Sequence, residues 1–162
     1  MKGSAKVIDA LNGLLTHEMS AADQYFIHSR MYQDWGMKAL YERLKHEQEE
    51  ELEHATALVE RILFLEGIPD VASRDALKIG SDVVSMITND LAYEVHVQGE
   101  LKKVIALAEE EQDYVTREIL NGLLKDTEED HLYFCEQQLG LIEKMGIQNY
   151  IQLQTDGGDE SA

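Results

Sequence analysis

One pattern occurs twice in this chain of 162 residues: a lone glutamate, then a Glu-x-x-His pair. The first half carries Glu18, then Glu51 with His54; the second carries Glu94, then Glu128 with His131. The lone glutamate precedes its pair by 33 residues in one copy and 34 in the other. On a helix, residues three apart share a face, so each pair can reach one cation. All six side chains can meet only if four helices lie side by side with their ligands at a common height. Four carboxylates and two imidazoles are the donor set known from carboxylate-bridged dimetal helix bundles. Nitrogen and oxygen donors with open positions suit iron and leave room for dioxygen. A single Glu-x-x-His match carries little weight in a chain with 20 glutamates, where solvated charge on an acidic helix is the plain alternative. The repetition, the partner glutamates and the helical setting reverse that balance.

The apolar periodicity supplies those helices. The first is expected over about 5–34, with Val7, Leu11, Leu14, Leu15, Ala21, Ala22, Tyr25 and Ile27 on its apolar face. Trp35-Gly36 makes a turn. The second runs over about 38–65, stopped by Gly67 as a C-cap glycine and by Pro69, the single proline. Residues 67–81 form a long connection, which makes sense if it crosses the length of a bundle so that the second and third helices run parallel. The third helix is expected over about 82–110 with Asp82 as N-cap, and the fourth over about 114–145 with Gly146 closing it. A short fifth helix follows at about 148–153. The reading is an all-α four-helix bundle with a long crossover and a short C-terminal fifth helix. One domain spans 1–155, and the acidic tail 156–162 is expected to be disordered.

Charge and cysteine content narrow the function classes. The net charge of −18 disfavours a duplex nucleic-acid partner, which needs clustered Lys and Arg, and suits attraction of cations. Glu47, Glu49, Glu50, Glu51 and Glu53 crowd one stretch, where they repel unless solvent, Lys or metal ions relieve them. No run approaches the roughly 20 apolar residues of a membrane span. The N-terminal residues lack the apolar stretch of a secretory signal. The single cysteine, Cys135, rules out an intramolecular disulfide, so the expected location is the reducing cytoplasm.

The stretches Asp23-Gln24-Tyr25-Phe26-Ile27-His28-Ser29-Arg30-Met31, Arg61-Ile62-Leu63-Phe64-Leu65-Glu66-Gly67 and Lys144-Met145-Gly146 resemble the bacterioferritins, and the resemblance covers nearly the whole chain. It implies a 24-subunit hollow shell that oxidises ferrous iron and stores it as a ferric mineral. The six ligands carry over onto Glu18, Glu51, His54, Glu94, Glu128 and His131, with Glu51 and Glu128 as bridging carboxylates. Tyr25 matches a tyrosine beside the dimetal centre. His46 matches an inner-surface iron ligand whose usual aspartate partner is here Glu50. Haem in this family is held between paired subunits by a methionine two residues before His54, and this chain has Leu52 there. Leucine has no lone pair, so haem is not expected from this chain alone. A methionine-bearing sister subunit in a mixed shell would supply it; a homopolymer would store iron without it. A small ferredoxin is the reductant the resemblance implies for mineral release. The stretch Asp126-Thr127-Glu128-Glu129-Asp130-His131 is one residue longer than in the haem-binding relatives.

The expected reaction is ferroxidation. Two ferrous ions each lose one electron, and dioxygen or hydrogen peroxide accepts the pair. Rival readings fare worse. A rubrerythrin-like peroxidase lacks its Cys-x-x-Cys module here, and a DNA-protecting miniferritin lacks its basic tail. A purely structural acidic bundle does not account for ligands in both halves.

Overall fold

The computed structural model describes residues 1–156. Helix α1 spans Ala5–Asp34, α2 Lys38–Phe64, α3 Val83–Glu110 and α4 Tyr114–Asp126. A π-helical stretch, Thr127–Leu132, joins α4 to α5, Tyr133–Met145, and the short α6 covers Ile147–Asp156. Among the described residues there is no strand. Two departures from the sequence expectation stand out. The fourth long helix is not uniform, because the π-helical stretch interrupts it. The fifth is longer than 148–153 and takes in Thr155 and Asp156; residues 157–162 of the expected tail lie outside the described residues.

The helix boundaries follow from local chemistry. Asp82 accepts from the Ser85 amide at 2.8 Å while the Ser85 hydroxyl accepts from the Asp82 amide at 3.1 Å, a reciprocal box that starts α3. Asp113 starts α4 by accepting from the Thr116 amide at 3.0 Å. Gly146 ends α5 with φ of 80°, a conformation open to glycine without steric cost. The end of α2 differs from expectation: Glu66, not Gly67, takes the left-handed conformation, with φ of 65°. Gly67 is needed for space instead. A Cβ there would lie 2.6 Å from Ile8 Cγ2 and 3.0 Å from Ile62 Cγ2.

Side chains at regular intervals on α1 dictate the path of the crossover. Asn12 Oδ1 accepts from the Asp70 amide, Ser20 Oγ from Asp75, Gln24 Oε1 from Lys78 and His28 Nε2 from Gly80. From residue 12 to residue 28 the helix rises roughly 24 Å. The loop is therefore as long as it must be to run beside α1 and deliver α3 parallel to α2.

The core falls into two apolar clusters. One joins Leu11 and Leu15 of α1 to Leu58 and Ile62 of α2, Leu101 of α3 and Leu120 of α4. The other joins Tyr25 and Tyr32 to Leu40 and Leu44, Met86 and Ile87, Cys135 and Tyr150 of α6. The N-terminal half of α1 thus meets the C-terminal halves of α2 and α3 and the start of α4. Helices α1 and α4 run one way, α2 and α3 the other. Between the clusters lies a layer of buried polar side chains.

Candidate metal centre

That layer contains Glu18 of α1, Glu51 and His54 of α2, Glu94 of α3 and His131 of the π-helical stretch, each 5% exposed or less. Their donor atoms form two groups that share Glu51: Glu18, Glu51 and His54 in one, Glu51, Glu94 and His131 in the other. Glu51 divides its carboxylate between them. Oε1 lies 2.6 Å from His131 Nδ1, and Oε2 lies 3.5 Å from His54 Nδ1. Glu18 Oε2 is 3.5 Å from His54 Nδ1, and Glu94 Oε1 is 3.5 Å from His131 Nδ1. The two imidazoles stack with centroids 5.6 Å apart.

Most of these groups hold atoms that are close without being hydrogen-bonded. Both oxygens of Glu18, Oε2 of Glu51, Oε2 of Glu94 and Nδ1 of both histidines are buried with no hydrogen-bond partner. Buried carboxylates without partners are costly unless a cation satisfies them. In the metal-free protein protons do part of that work. Burial, and then the negative charge of Glu51, push the Glu18 carboxyl up to about 8. Burial alone would depress His54, but the Glu18 and Glu51 carboxylates outweigh it and raise the imidazole to about 11. Burial likewise opposes charge on His131, and Glu47, Glu51 and Glu94 override it and raise its pKa. Deprotonated, the same groups are hard oxygen and imidazole ligands, a set that fits a first-row divalent ion such as iron.

Glu128 does not join them. It is partly exposed, accepts from Gln98 Nε2 at 2.8 Å and lies 3.4 Å from Lys102 Nζ. The π-helical winding of Thr127–Leu132 is the physical reason. Its wider i→i+5 winding puts residues four apart, rather than three, on one face. Thr127 and His131, four apart, are both 1% exposed, while Glu128 is rotated to the flank. Glu51 and His54 stand together in the layer, Glu128 and His131 do not, and Glu51 is the carboxylate placed between the two imidazoles.

Around these five side chains the structure adds groups that the sequence reading did not assign to the centre. Glu47, 1% exposed, places Oε2 2.9 Å from His131 Nε2 and accepts from Arg43 Nε at 2.6 Å. It lies four residues before Glu51, so helical spacing alone could have placed it on the ligand face. Asp126 lies 3.2 Å from His54 Nε2, a carboxylate–imidazole contact of the kind that orients a metal-binding histidine. Asp130 accepts from Arg43 Nη2 at 2.6 Å. The expected pair His46 and Glu50 does meet, with Nε2 to Oε1 at 2.9 Å, and Glu50 Oε2 also lies 2.9 Å from His131 Nε2. His46 itself is exposed. The crowded acidic stretch is thus relieved by Arg43, by the imidazoles and by solvent around Glu49 and Glu53. Tyr25 is buried and donates to Glu94 Oε1; burial, then the Glu94 charge, raises its pKa and keeps the phenol protonated. Leu52 is 42% exposed on α2, away from the ligand face. Burial also pushes up the Cys135 thiol, so it stays protonated and packs as a small core residue.

Comparison with known proteins agrees with this architecture. The model of the ferritin-like domain matches residues 8–145. A bacterial ferritin of Pseudomonas aeruginosa is 56% identical over 95% of this chain and 99% of its own length. A bacterial ferritin of Synechocystis sp. is 53% identical over the same shares. A bacterioferritin of Brucella melitensis is 37% identical over 99% of both chains. The chain belongs to the ferritin family.

Proposed function

We propose that this chain stores and detoxifies iron, and that the five-ligand layer is a ferroxidase centre taking two ferrous ions per chain. The observation that supports it most is Glu51, with one oxygen turned to each imidazole and unpartnered carboxylate oxygens of Glu18 and Glu94 on either side. One ion would sit among Glu18, Glu51 and His54, the other among Glu51, Glu94 and His131. Each ferrous ion gives up one electron, and dioxygen accepts the pair with two protons to yield hydrogen peroxide. Protons leave His54, His131 and Glu18 as cations arrive, so the protein's own charge change offsets that of the substrate. Tyr25 fixes Glu94 through its hydroxyl, and Asp126 and Glu47 orient the two imidazoles. His46 and Glu50 form the connection toward stored iron.

Family relationship supports assembly into a closed shell, proposed as a 24-mer working in the cytoplasm. Leu52 offers no haem ligand, so the simplest assembly is a homopolymer. A mixed shell with a methionine-bearing sister subunit is the alternative that the same residue favours, with a small ferredoxin as reductant. The expected result of an anaerobic ferrous titration followed by oxygen is rapid oxidation saturating near two irons per chain. Glu51→Ala should abolish that phase, since it removes a ligand from both positions. Slow oxidation without saturation in the parent protein would sink the ferroxidase reading.

A further inference from the structure

A second group of metal-ligating side chains lies outside the layer just described. His17 of α1, Asp75 of the crossover and His96 of α3 bring one donor atom each within 4.8 Å of one another. His17 Nδ1 is 2.6 Å from Asp75 Oδ2, and the His17 and His96 rings meet edge-on with centroids 4.8 Å apart. The arrangement is held in place from behind. The Tyr93 hydroxyl is within hydrogen-bond reach of Asp75 Oδ2 at 2.7 Å and of the His17 backbone oxygen at 3.0 Å. The Asp75 amide donates to Ser20 Oγ at 2.8 Å. Asp75, Tyr93 and His96 also line a cavity of about 250 Å³ with Gln24, Asn89 and Lys78, which leaves room for water or a further ligand. His17 and Tyr93 immediately precede Glu18 and Glu94. A step of one residue turns a helix by roughly 100°, so the same helices present one ligand set inward and the other to the crossover seam.

We infer that His17, Asp75 and His96 form a separate mononuclear site for a first-row divalent cation, Zn²⁺ or Fe²⁺, clasping the crossover onto α1 and α3. Two imidazoles and one carboxylate, with further positions open, are a recurrent donor set for such ions. Donors bound about 2.1 Å from a cation stand at most about 4.2 Å apart, so the group must tighten slightly. His96 is exposed and can supply that movement by changing rotamer. Tyr93 stays protonated, since burial and the Asp75 carboxylate both raise its pKa; it orients the carboxylate and is not itself a ligand. The site shares no residue with the five-ligand centre and does not depend on ferroxidase activity.

Co²⁺ provides the direct test, in the assembled full-length protein carrying Glu51→Ala to cripple the dimetal centre. Equilibrium dialysis should find a cobalt ion that is bound in this background and weakened roughly tenfold or more by adding His96→Ala or Asp75→Asn. The visible absorbance of that ion should report nitrogen ligation. Zn²⁺ should raise the melting temperature of the Glu51→Ala protein and leave the double variants unmoved. Equal cobalt binding and equal zinc stabilisation with and without His96 and Asp75 would overturn the proposal. The number of ferrous ions rapidly oxidised per chain in His96→Ala alone, expected at the parent value, separates this outcome from any failure of the ferroxidase reading.

Discussion

Glu51 and Glu128 occupy equivalent places in the two halves of the sequence repeat, yet only Glu51 reaches the ligand layer. Replacing Glu128 with Ala should leave the oxidation rate within a few-fold of the parent, while Asp126→Ala, which frees the far nitrogen of His54, should slow it by roughly 10–100-fold. Stopped-flow absorbance of the ferric product separates the two. Protons make a second residue-level prediction. The Glu18 carboxyl is raised from 4.5 to about 8 and His54 from 6.5 to about 11 in the metal-free protein. Both groups hold protons in the folded chain that the unfolded chain has released, so their contribution is present at low pH. It is lost as pH rises, between 4.5 and 8 for Glu18 and between 6.5 and 11 for His54. Calorimetry of metal-free protein should therefore show a melting temperature that falls from pH 6 to pH 9, with a shallower fall in Glu18→Gln. An identical slope in that variant would contradict the assignment.

At the scale of the element, the π-helical stretch is the decisive feature. One wide turn between α4 and α5 changes the helical phase at Glu128 while Cys135 of α5 still packs in the core. Deleting Thr127 should return 126–132 to ordinary α-helical winding and swing Glu128 toward His131. The expected outcome is a changed ferrous affinity and oxidation rate, with Glu128→Ala becoming damaging only in the deletion background. If Glu128→Ala is equally mild in both backgrounds, the turn does not set its orientation. The same scale shows what sequence reading can reach. The helices α1 to α3 came within a residue or so of their observed limits, because apolar spacing and caps such as Asp82 act locally. The longer 126–131 stretch was itself visible. How it would be absorbed was not, because a bulge, a shifted register and a longer loop look alike until neighbouring helices choose among them. The meeting of Asp75 with His17 was invisible for the same reason: its position comes from hydrogen bonds to α1 across more than fifty residues.

For the whole molecule, the isolated chain leaves large apolar side chains uncovered, among them Phe26, Leu52, Leu63 and Phe64, each more than 40% exposed. Exposed apolar groups of this size are natural contact points between subunits. Among the described residues no helix is long and apolar enough to cross a membrane; ferritin-family proteins generally assemble into oligomeric shells, and burial against other copies would cover this surface. Leu52→Glu should weaken association, and sedimentation velocity should then show smaller species than the parent at equal concentration. An unchanged assembly would place Leu52 outside the subunit contacts. The bundle itself should be unaffected, since Leu52 faces away from both core clusters.

The sequence by itself determined the helical bundle, the crossover and five of the side chains that meet in the buried polar layer. Apolar periodicity, helix caps and the i,i+3 spacing of an α-helix operate within a few residues, and 20 glutamates with two repeated motifs left a legible pattern. Only the tertiary structure decided which glutamates face inward together. Helical phase at Glu128 depends on the π-helical turn, and Glu47, Asp126 and Asp75 become neighbours of imidazoles only once four helices and a loop are packed. Ligand identity is written locally, whereas ligand geometry is a property of elements far apart in the chain brought to a common height.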